Sequence, residues 1–386
     1  MSQALDPKTK EPVAPVAKLP SLIQGERFKI AKGTYRVERK IKDIENCRFY
    51  LVACIDDKER DKKFEVKVQF KDNPSGYWRK FKNEVPILEK AKKYEDQLPN
   101  LVHMFDHGEI GDIEVIVLPF FPHDLDKMYK FMGKFSQEEA YKISCQCADG
   151  LKQLHSMEVF HGSVRLSSYV MTSNEIVKLT DFGHTYNNQT DDEAPKVLTD
   201  AFIKPNEYSA RGAHMNWLGS YKDDLESLGY CIVALFYRRG LEWRRAGRSK
   251  LMLKMKKKFM SEPAEHLDSE KYPSSMHKIF LQAEAMKRTD KIDYSLLTRT
   301  LTTCAEEMKL AQDAKDQMYG FINRRQPSKE YVGSRSRDSN EVSSDDENKK
   351  QIKGGTLRKR SRTPDCVKPV EGQGNRSSQD EVPKKT

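Results

Sequence analysis

The stretch Lys178-Leu179-Thr180-Asp181-Phe182-Gly183 decides the fold of this chain, and it lies a short way after His161-Gly162-Ser163. A short apolar run that ends in Asp and a Phe-Gly turn predicts a strand that leads its carboxylate into a turn. A carboxylate held in such a turn is a ligand that Mg²⁺ prefers. The loop after His161 contains no Asp or Glu from residue 162 to residue 168, so it lacks a carboxylate general base. The two segments therefore predict a site that has a metal-binding carboxylate in the turn but no carboxylate base in the loop after His161.

The composition predicts a folded middle with polar ends. The chain has 386 residues, a formal net charge of +10 and seven cysteines. The cysteines form no CxxC pair, which is typical of free thiols in a reducing compartment. The N-terminus has no apolar signal-peptide core, and no stretch approaches the roughly eighteen apolar residues of a spanning helix. We therefore expect a soluble, cytoplasmic protein that does not contact a membrane.

Charge and complexity divide the chain into three predicted parts. Residues 1–24 form an N-terminal extension, 25–320 the folded domain and 321–386 a basic, Ser-rich tail. The tail holds sixteen Lys or Arg against ten Asp or Glu, with few large apolar residues. Such a segment cannot bury enough apolar surface to offset its ordering entropy, so we predict that the extension and the tail are disordered.

The hydrophobic period changes along the folded part. Period-two runs predict five strands, at residues 36–41, 49–55, 63–70, 101–105 and 114–118. A helix with Phe81 on its apolar face follows the third strand, and a later helix begins at Ser136, which makes a capping box with Glu139. A sheet followed by helices predicts an α+β fold of two lobes, a small β-rich lobe over 25–120 and a larger helical lobe over 121–320.

The order and spacing of Lys67, Glu84, His161 and Asp181 resemble those of the protein kinase superfamily. Over about residues 28–310 the chain resembles the casein kinase 1 branch in particular. Two segments carry that resemblance, and they are similar to the branch's Y-x-S-x-x-x-H and S-R-x-D-D-L-E-S-L-x-Y signature: Tyr208-Ser209-Ala210-Arg211-Gly212-Ala213-His214 and Ser220-Tyr221-Lys222-Asp223-Asp224-Leu225-Glu226-Ser227-Leu228-Gly229-Tyr230. The resemblance implies a bilobal kinase fold with a cleft between the lobes.

The resemblance also implies roles for particular residues, with ATP and Mg²⁺ as the cofactors. In the family, the residue matching Lys67 holds phosphates and pairs with the one matching Glu84, while the one matching Asp181 binds Mg²⁺. Three residues match the family's gatekeeper and hinge, which bind adenine: Leu118, Pro119 and Phe121. Two residues match positions that support the catalytic loop: His161 and Asp224.

Several catalytic positions depart from the family pattern. Ser163 stands where the family has its catalytic Asp, Arg165 where it has Lys, and Ser168 where an Asn binds the second metal ion. A serine hydroxyl is not a base near neutral pH, and Ser168 is expected to be a weak metal ligand. The three glycine positions of the phosphate-binding loop hold larger residues: Lys42, Ile44 and Cys47. We also expect Pro86 to disturb the Lys67–Glu84 pair, because proline is tolerated mainly near a helix start.

These departures lead to two hypotheses. The first is a pseudokinase, a kinase-fold regulator or scaffold without efficient phosphoryl transfer and with weak or no ATP binding. The second is an active, divergent Ser/Thr kinase that relies on Lys67, Glu84 and Asp181 for positioning and on Mg²⁺. An intermediate hypothesis is a switch that binds a nucleotide and changes conformation without transferring phosphate. The alternative to such a switch is that Lys67, Glu84 and Asp181 only hold the two lobes together.

Basic clusters predict partners and location. Eight cations crowd residues 244–258, Lys256 among them, and could dock an acidic or phosphorylated protein, although a solvated helix face is the alternative. The segment has no interleaved aromatic platform, so we do not expect nucleic-acid binding. In the tail, residues 357–362 could act as a nuclear-import signal, which would add the nucleus to the cytoplasm as a location.

Overall fold

The computed structural model describes residues 21–44, 47–56, 59–60, 62–71, 79–187 and 204–325. An antiparallel sheet forms the N-terminal lobe and follows from the alternating runs of the sequence. Its strands are β1 (Arg27–Ile30), β2 (Gly33–Ile44), β3 (Cys47–Cys54), β4 (Lys63–Phe70), β5 (Asp106–Ile110) and β6 (Ile113–Pro119), in the spatial order β1-β2-β3-β4-β6-β5. Helix α1 (Arg79–Lys93) follows β4 in the chain.

Four of the five predicted strands are confirmed, and the strand predicted at 101–105 is wrong. The strand in that region is β5, which starts at Asp106 and pairs antiparallel with β6 through Asp106 and Val117. Leu101 instead makes a single parallel bridge to Leu179 of the other lobe. Leu101 is fully buried, so its apolar character reflects contact with the helical lobe. The short β1 was not predicted.

Helices form the C-terminal lobe, together with short strand pairs around the loops of the site. The helices are α2 (Leu125–Met132), α3 (Gln137–His155), α4 (Tyr221–Phe236), α5 (Ser249–Ser261), α6 (Pro263–His266), α7 (Lys278–Ala285) and α8 (Tyr294–Arg325). The strands are β7 (Val159–Phe160), β8 (Tyr169–Met171), β9 (Val177–Leu179) and β10 (Tyr186–Asn187), paired as β7 with β10 and β8 with β9.

The capping box predicted at Ser136 is confirmed, because its side chain and that of Glu139 each bond the other's backbone N–H.

Helix α4 forms the centre of the lobe, with thirteen buried residues among its sixteen. Burial on all sides is typical of a helix at the core of a domain. The predicted α+β fold with a β-rich lobe and a helical lobe is therefore confirmed.

Ordered backbone extends past both predicted ends of the folded domain. Helix α8 continues to Arg325, five residues beyond the predicted boundary at 320. At the other end, Ser21 accepts a hydrogen bond from Arg48 at 2.7 Å and the backbone N–H of Leu22 donates to Tyr50 at 3.2 Å, so residues 21–22 pack on the sheet. The rest of the predicted extension, the remaining tail and its import signal lie outside the described residues. No helix in the described part of the chain is long and apolar enough to cross a membrane.

Candidate functional site

The loop between the lobes that begins at His161 is held by one buried carboxylate. Asp224, in the first turn of α4, accepts hydrogen bonds from the backbone N–H of His161 at 2.5 Å and of Gly162 at 2.9 Å. The imidazole of His155 donates to the same carboxylate at 3.0 Å and accepts from the hydroxyl of Tyr294 at 2.8 Å. Three donors therefore converge on the carboxylate of Asp224 and brace the start of the loop.

His161 links this loop to the Asp-Phe-Gly turn. Its Nδ1 accepts from the backbone N–H of Ser163 at 3.2 Å, which leaves Nε2–H to donate to the carbonyl of Thr180 at 3.0 Å. Burial lowers the pKa of His161 in spite of the nearby Asp224, so the ring is neutral at physiological pH. A neutral ring of this tautomer satisfies both partners.

Lys67 on β4 and Glu84 on α1 form a buried ion pair in the small lobe. Nζ and Oε1 are 2.5 Å apart, and the two side chains are 5% and 3% exposed. Burial alone lowers the pKa of Lys67, but the carboxylates of Glu84 and Asp181 outweigh it and raise that pKa. Pro86 lies inside α1, yet the expected disturbance of the pair does not occur.

Asp181 is paired with Arg165 beside the cleft. Nη2 of Arg165 donates to Oδ2 of Asp181 at 2.8 Å, with about a third of each side chain exposed. Asp181 has a left-handed backbone with φ of 68°, which an Asp adopts more readily than most residues. The guanidinium therefore sits against the carboxylate that was expected to bind Mg²⁺.

A cavity of about 240 Å³ separates the lobes at this point. Predicted site residues line it as follows: Lys67, Leu118, Pro119, Phe121, Arg165 and Asp181. Four charged or aromatic lining residues were missed by the sequence analysis: Phe49, Glu65, Asp124 and Lys127. Asp124 and Lys127 show no distinctive sequence pattern. Phe49 and Glu65 could have been found, because Phe49 lies on β3 and Glu65 lies two residues before Lys67 on β4.

The strands that would carry a glycine-rich loop remain paired to their ends. Ile44 pairs with Cys47, and Lys42 pairs with Phe49. The ammonium of Lys42 lies 4.2 Å from the centre of the Phe49 ring, and both residues line the cavity. Side chains therefore occupy the place where glycine would allow backbone N–H groups to approach a phosphate.

Ser163 and Ser168 lie away from this cavity. The hydroxyl of Ser168 is fully buried and donates to the carbonyl of Ser163 at 3.2 Å. Ser163 borders a separate cavity of about 40 Å³ that Gly162 and Trp217 also line. The weak metal-binding role predicted for Ser168 is therefore corrected, because its hydroxyl is engaged inside the loop.

The donor set does not fit a magnesium ion. Mg²⁺ takes six oxygen ligands in near-octahedral geometry, usually with one or two carboxylates. Oδ2 of Asp181 is occupied by Arg165, and Ser168 does not line the cavity. Within the described ranges, no group of three or more His, Cys, Asp or Glu side chains is placed to hold a metal ion.

The predicted basic segment at 244–258 is mostly a solvent-exposed surface. Its exposed cations are Arg244, Arg245, Arg248, Lys250, Lys254, Lys257 and Lys258. Lys256 is an exception, because it is fully buried and donates to the carbonyl of Asn206 at 3.1 Å. It also contacts His214 at 3.2 Å and lies 5.0 Å from the ring centre of Tyr230. Lys256 is therefore a core residue rather than part of the surface.

Comparison with known proteins agrees with this architecture. The family model for the protein kinase domain matches residues 29–314. The chain belongs to the protein kinase family. Domains of this family use ATP and Mg²⁺ for phosphoryl transfer.

A similar protein from Clostridium perfringens (strain 13 / Type A) is named a probable serine/threonine-protein kinase. It is 28% identical over 164 residues, which is 40% of this chain and 23% of that relative. The chain therefore aligns with about a quarter of the relative's length.

Proposed function

We propose that this protein is a casein kinase 1-like pseudokinase, which binds and regulates or scaffolds another protein without efficient phosphoryl transfer. The observation that carries the proposal is Ser163 at the position of the catalytic base, in a loop whose brace by Asp224 is complete. Loss of a positioned general base costs about 10²–10⁴-fold in rate. The scaffold of the loop is thus kept while its chemistry is removed.

Phosphoryl transfer to an acidic protein substrate tests the proposal. We expect full-length protein with Mg²⁺ or Mn²⁺ to show the same background as its Lys67→Met variant. The double variant Ser163→Asp/Ser168→Asn returns the family's residues to a braced loop and serves as the comparison. Robust transfer by the unaltered protein that disappears in Asp181→Asn contradicts the proposal.

The alternative is an active, divergent Ser/Thr kinase, and the Lys67–Glu84 pair favours it. The two atoms of this pair are 2.5 Å apart in a buried setting, the arrangement that positions phosphates in active kinases. If this alternative holds, transfer will be slow but will depend on Lys67. The assay above separates the two, because only the alternative predicts a difference between the unaltered protein and Lys67→Met.

For the protein partner, we propose the exposed cations of residues 244–258 as the docking surface. Arg245, Arg248 and Lys254 are exposed and form no salt bridge within the described residues. Exposed cations without an ion-pair partner attract acidic or phosphorylated segments and raise association rates at low salt. Partners of that chemistry therefore suit this surface.

Charge reversal tests the docking surface with a defined probe. An acidic peptide carrying two phosphoserines should bind the unaltered protein and lose affinity in Arg245→Glu/Lys254→Glu. The matched control is Arg27→Glu/Lys29→Glu, two exposed cations on β1. The assignment is contradicted if both double variants have the same affinity for the peptide, or if the affinity does not change with ionic strength.

We propose a cytoplasmic location with nuclear entry through residues 357–362, which lie outside the described residues. The support is the run Leu357-Arg358-Lys359-Arg360-Ser361-Arg362. A fluorescent fusion of the full chain should lose nuclear signal when Arg358, Lys359 and Arg360 are changed to Ala. An unchanged distribution removes the import role.

A further inference from the structure

Arg165 has donors left after it binds Asp181. Nη2 is used by Oδ2 of Asp181, whereas Nη1 has no hydrogen-bond partner within the described part of the chain. About a third of the side chain is exposed, and Arg165 lines the cavity between the lobes. A guanidinium carries five N–H donors in a fixed fork, so one edge can hold a carboxylate while the other binds a second anion.

Two further donors face the same cavity. Lys42 lies over the ring of Phe49 and has no salt bridge among the residues described. Ser167 is exposed and lines the cavity, and its hydroxyl makes no hydrogen bond within that part of the structure. By contrast, Lys127 is already paired with Asp124 at 3.2 Å. Arg165, Lys42 and Ser167 therefore form a set of available donors for an anion.

We propose that this cleft binds a phosphate-bearing ligand without a divalent cation, with Arg165 bridging Asp181 and a phosphate oxygen. In this arrangement the guanidinium takes the place that a metal ion holds between a carboxylate and a phosphate. Arg–phosphate bonds are charge-assisted and geometrically specific, so the bridge needs no metal. The inference concerns binding alone and holds whether or not phosphoryl transfer occurs.

The other end of the cavity favours phosphates over a nucleobase as the source of affinity. Glu65 lines the cavity and pairs in register with Leu118, so a carboxylate stands beside the apolar residues at that end. Burying a carboxylate against a neutral ring without a partner is unfavourable. A nucleotide and an inorganic polyphosphate share the phosphate chemistry, and the experiment distinguishes them.

Calorimetry on the full chain tests the proposal with ATP in EDTA, ATP with Mg²⁺, adenosine in EDTA and tripolyphosphate in EDTA. We expect ATP to bind in EDTA at least as tightly as with Mg²⁺, and adenosine not to bind. Binding of tripolyphosphate comparable to ATP assigns the affinity to phosphate alone, and weaker binding assigns part of it to the nucleoside. A requirement for Mg²⁺, or no binding of either polyphosphate, overturns the proposal.

Variants at the bridge make the test sharper. Arg165→Ala should weaken ATP binding in EDTA by about tenfold or more, with Arg165→Lys in between, because one charge-assisted contact is lost. Asp181→Asn should keep or increase the affinity in EDTA, since it frees Arg165 and removes a repulsive carboxylate. A metal-bridged site predicts the opposite for Asp181→Asn, so loss of binding in that variant overturns the proposal.

A control variant separates the bridge from general charge effects. Lys130→Ala removes an exposed cation that pairs with Asp126 on α2 and does not line the cavity. Its affinity for ATP in EDTA should equal that of the unaltered protein. Urea unfolding shows whether Arg165→Ala is folded. If that variant is unfolded, the affinity of the unaltered protein for ATP in EDTA and in Mg²⁺ decides the proposal.

Discussion

Oδ2 of Asp224 accepts a hydrogen bond from the backbone N–H of His161 at 2.5 Å, so a carboxylate at the start of α4 sets the position of a loop 63 residues earlier in the chain. The interaction is fully buried, and Gly162 and His155 donate to the same group. The carboxylate therefore holds the backbone of the loop at His161 and Gly162, whatever chemistry the loop performs.

Asp224→Asn should lower the free energy of unfolding by about 1.5–3 kcal/mol, the range for one hydrogen bond to a charged group. Whichever way the amide is turned, its NH₂ group faces an N–H donor. Urea unfolding followed by circular dichroism measures the change. Asp112→Asn on the exposed turn before β6 is the control, and it should alter stability by less than about 0.5 kcal/mol. Equal effects of the two substitutions would contradict the brace.

Lys67→Met should destabilise the fold by about 3–5 kcal/mol, because it removes the ammonium that pairs with the buried carboxylate of Glu84. The double variant Lys67→Met/Glu84→Leu should recover most of that loss, since it also removes the buried carboxylate. A double-mutant cycle from chemical denaturation provides the measurement. The prediction is wrong if the double variant is as unstable as the sum of the two single variants.

Gly162→Ala should be more disruptive than an ordinary glycine substitution. Gly162 has φ of +73°, and a Cβ there would lie 2.6 Å from the carbonyl oxygen of His184. Gly111 provides a matched control, because its φ is +54° and a Cβ would meet nothing within 4 Å. We expect Gly111→Ala to cost about 1 kcal/mol from backbone strain, and Gly162→Ala about 1–3 kcal/mol more from the clash.

Thermal and urea unfolding of both glycine variants measure the difference. The same geometry means that a larger side chain at residue 162 also requires His184 to move. A Gly162→Ala variant as stable as Gly111→Ala would show that the loop can move away from His184 at little cost.

Stability should rise with pH between about 7 and 10 because of Lys256. Burial lowers the pKa of Lys256 to about 7, while an unfolded lysine titrates near its ordinary value of 10.5. Between these values the unfolded chain binds more protons, so the free energy of unfolding increases with pH, by up to about 1.4 kcal/mol per pH unit. Below pH 7 both states are protonated and this contribution is constant.

The slope is measured by urea unfolding from pH 6 to pH 9.5, with Lys256→Met as the comparison. The variant should have a flatter pH dependence over this interval, whatever its stability at a single pH. The groups that act on Lys256 are His214, Glu226, Glu207 and Cys231. Identical slopes in the two proteins would mean that Lys256 remains charged throughout.

The sequence by itself determined the fold and much of the site. Period-two runs placed β2, β3, β4 and β6, and the resemblance to protein kinases implied that Lys67, Glu84 and Asp181 lie near one another. These features are set by local periodicity and by the order of residues along the chain. They can be inferred without coordinates because the alternation of apolar residues is itself the physical cause of strand burial.

The tertiary structure decided which side chains contact each other. The pairing of Arg165 with Asp181 and the hydrogen bond of the buried Ser168 to Ser163 depend on how the loops fold, and the complete burial of Lys256 depends on segments that are distant in sequence. A basic residue in a basic helix gives no local sign of burial, because the groups that surround Lys256 come from other segments, among them the carbonyl of Asn206, the imidazole of His214 and the ring of Tyr230. Charge partners are set by three-dimensional distance and burial rather than by spacing along the chain, so this part of the site required the structure.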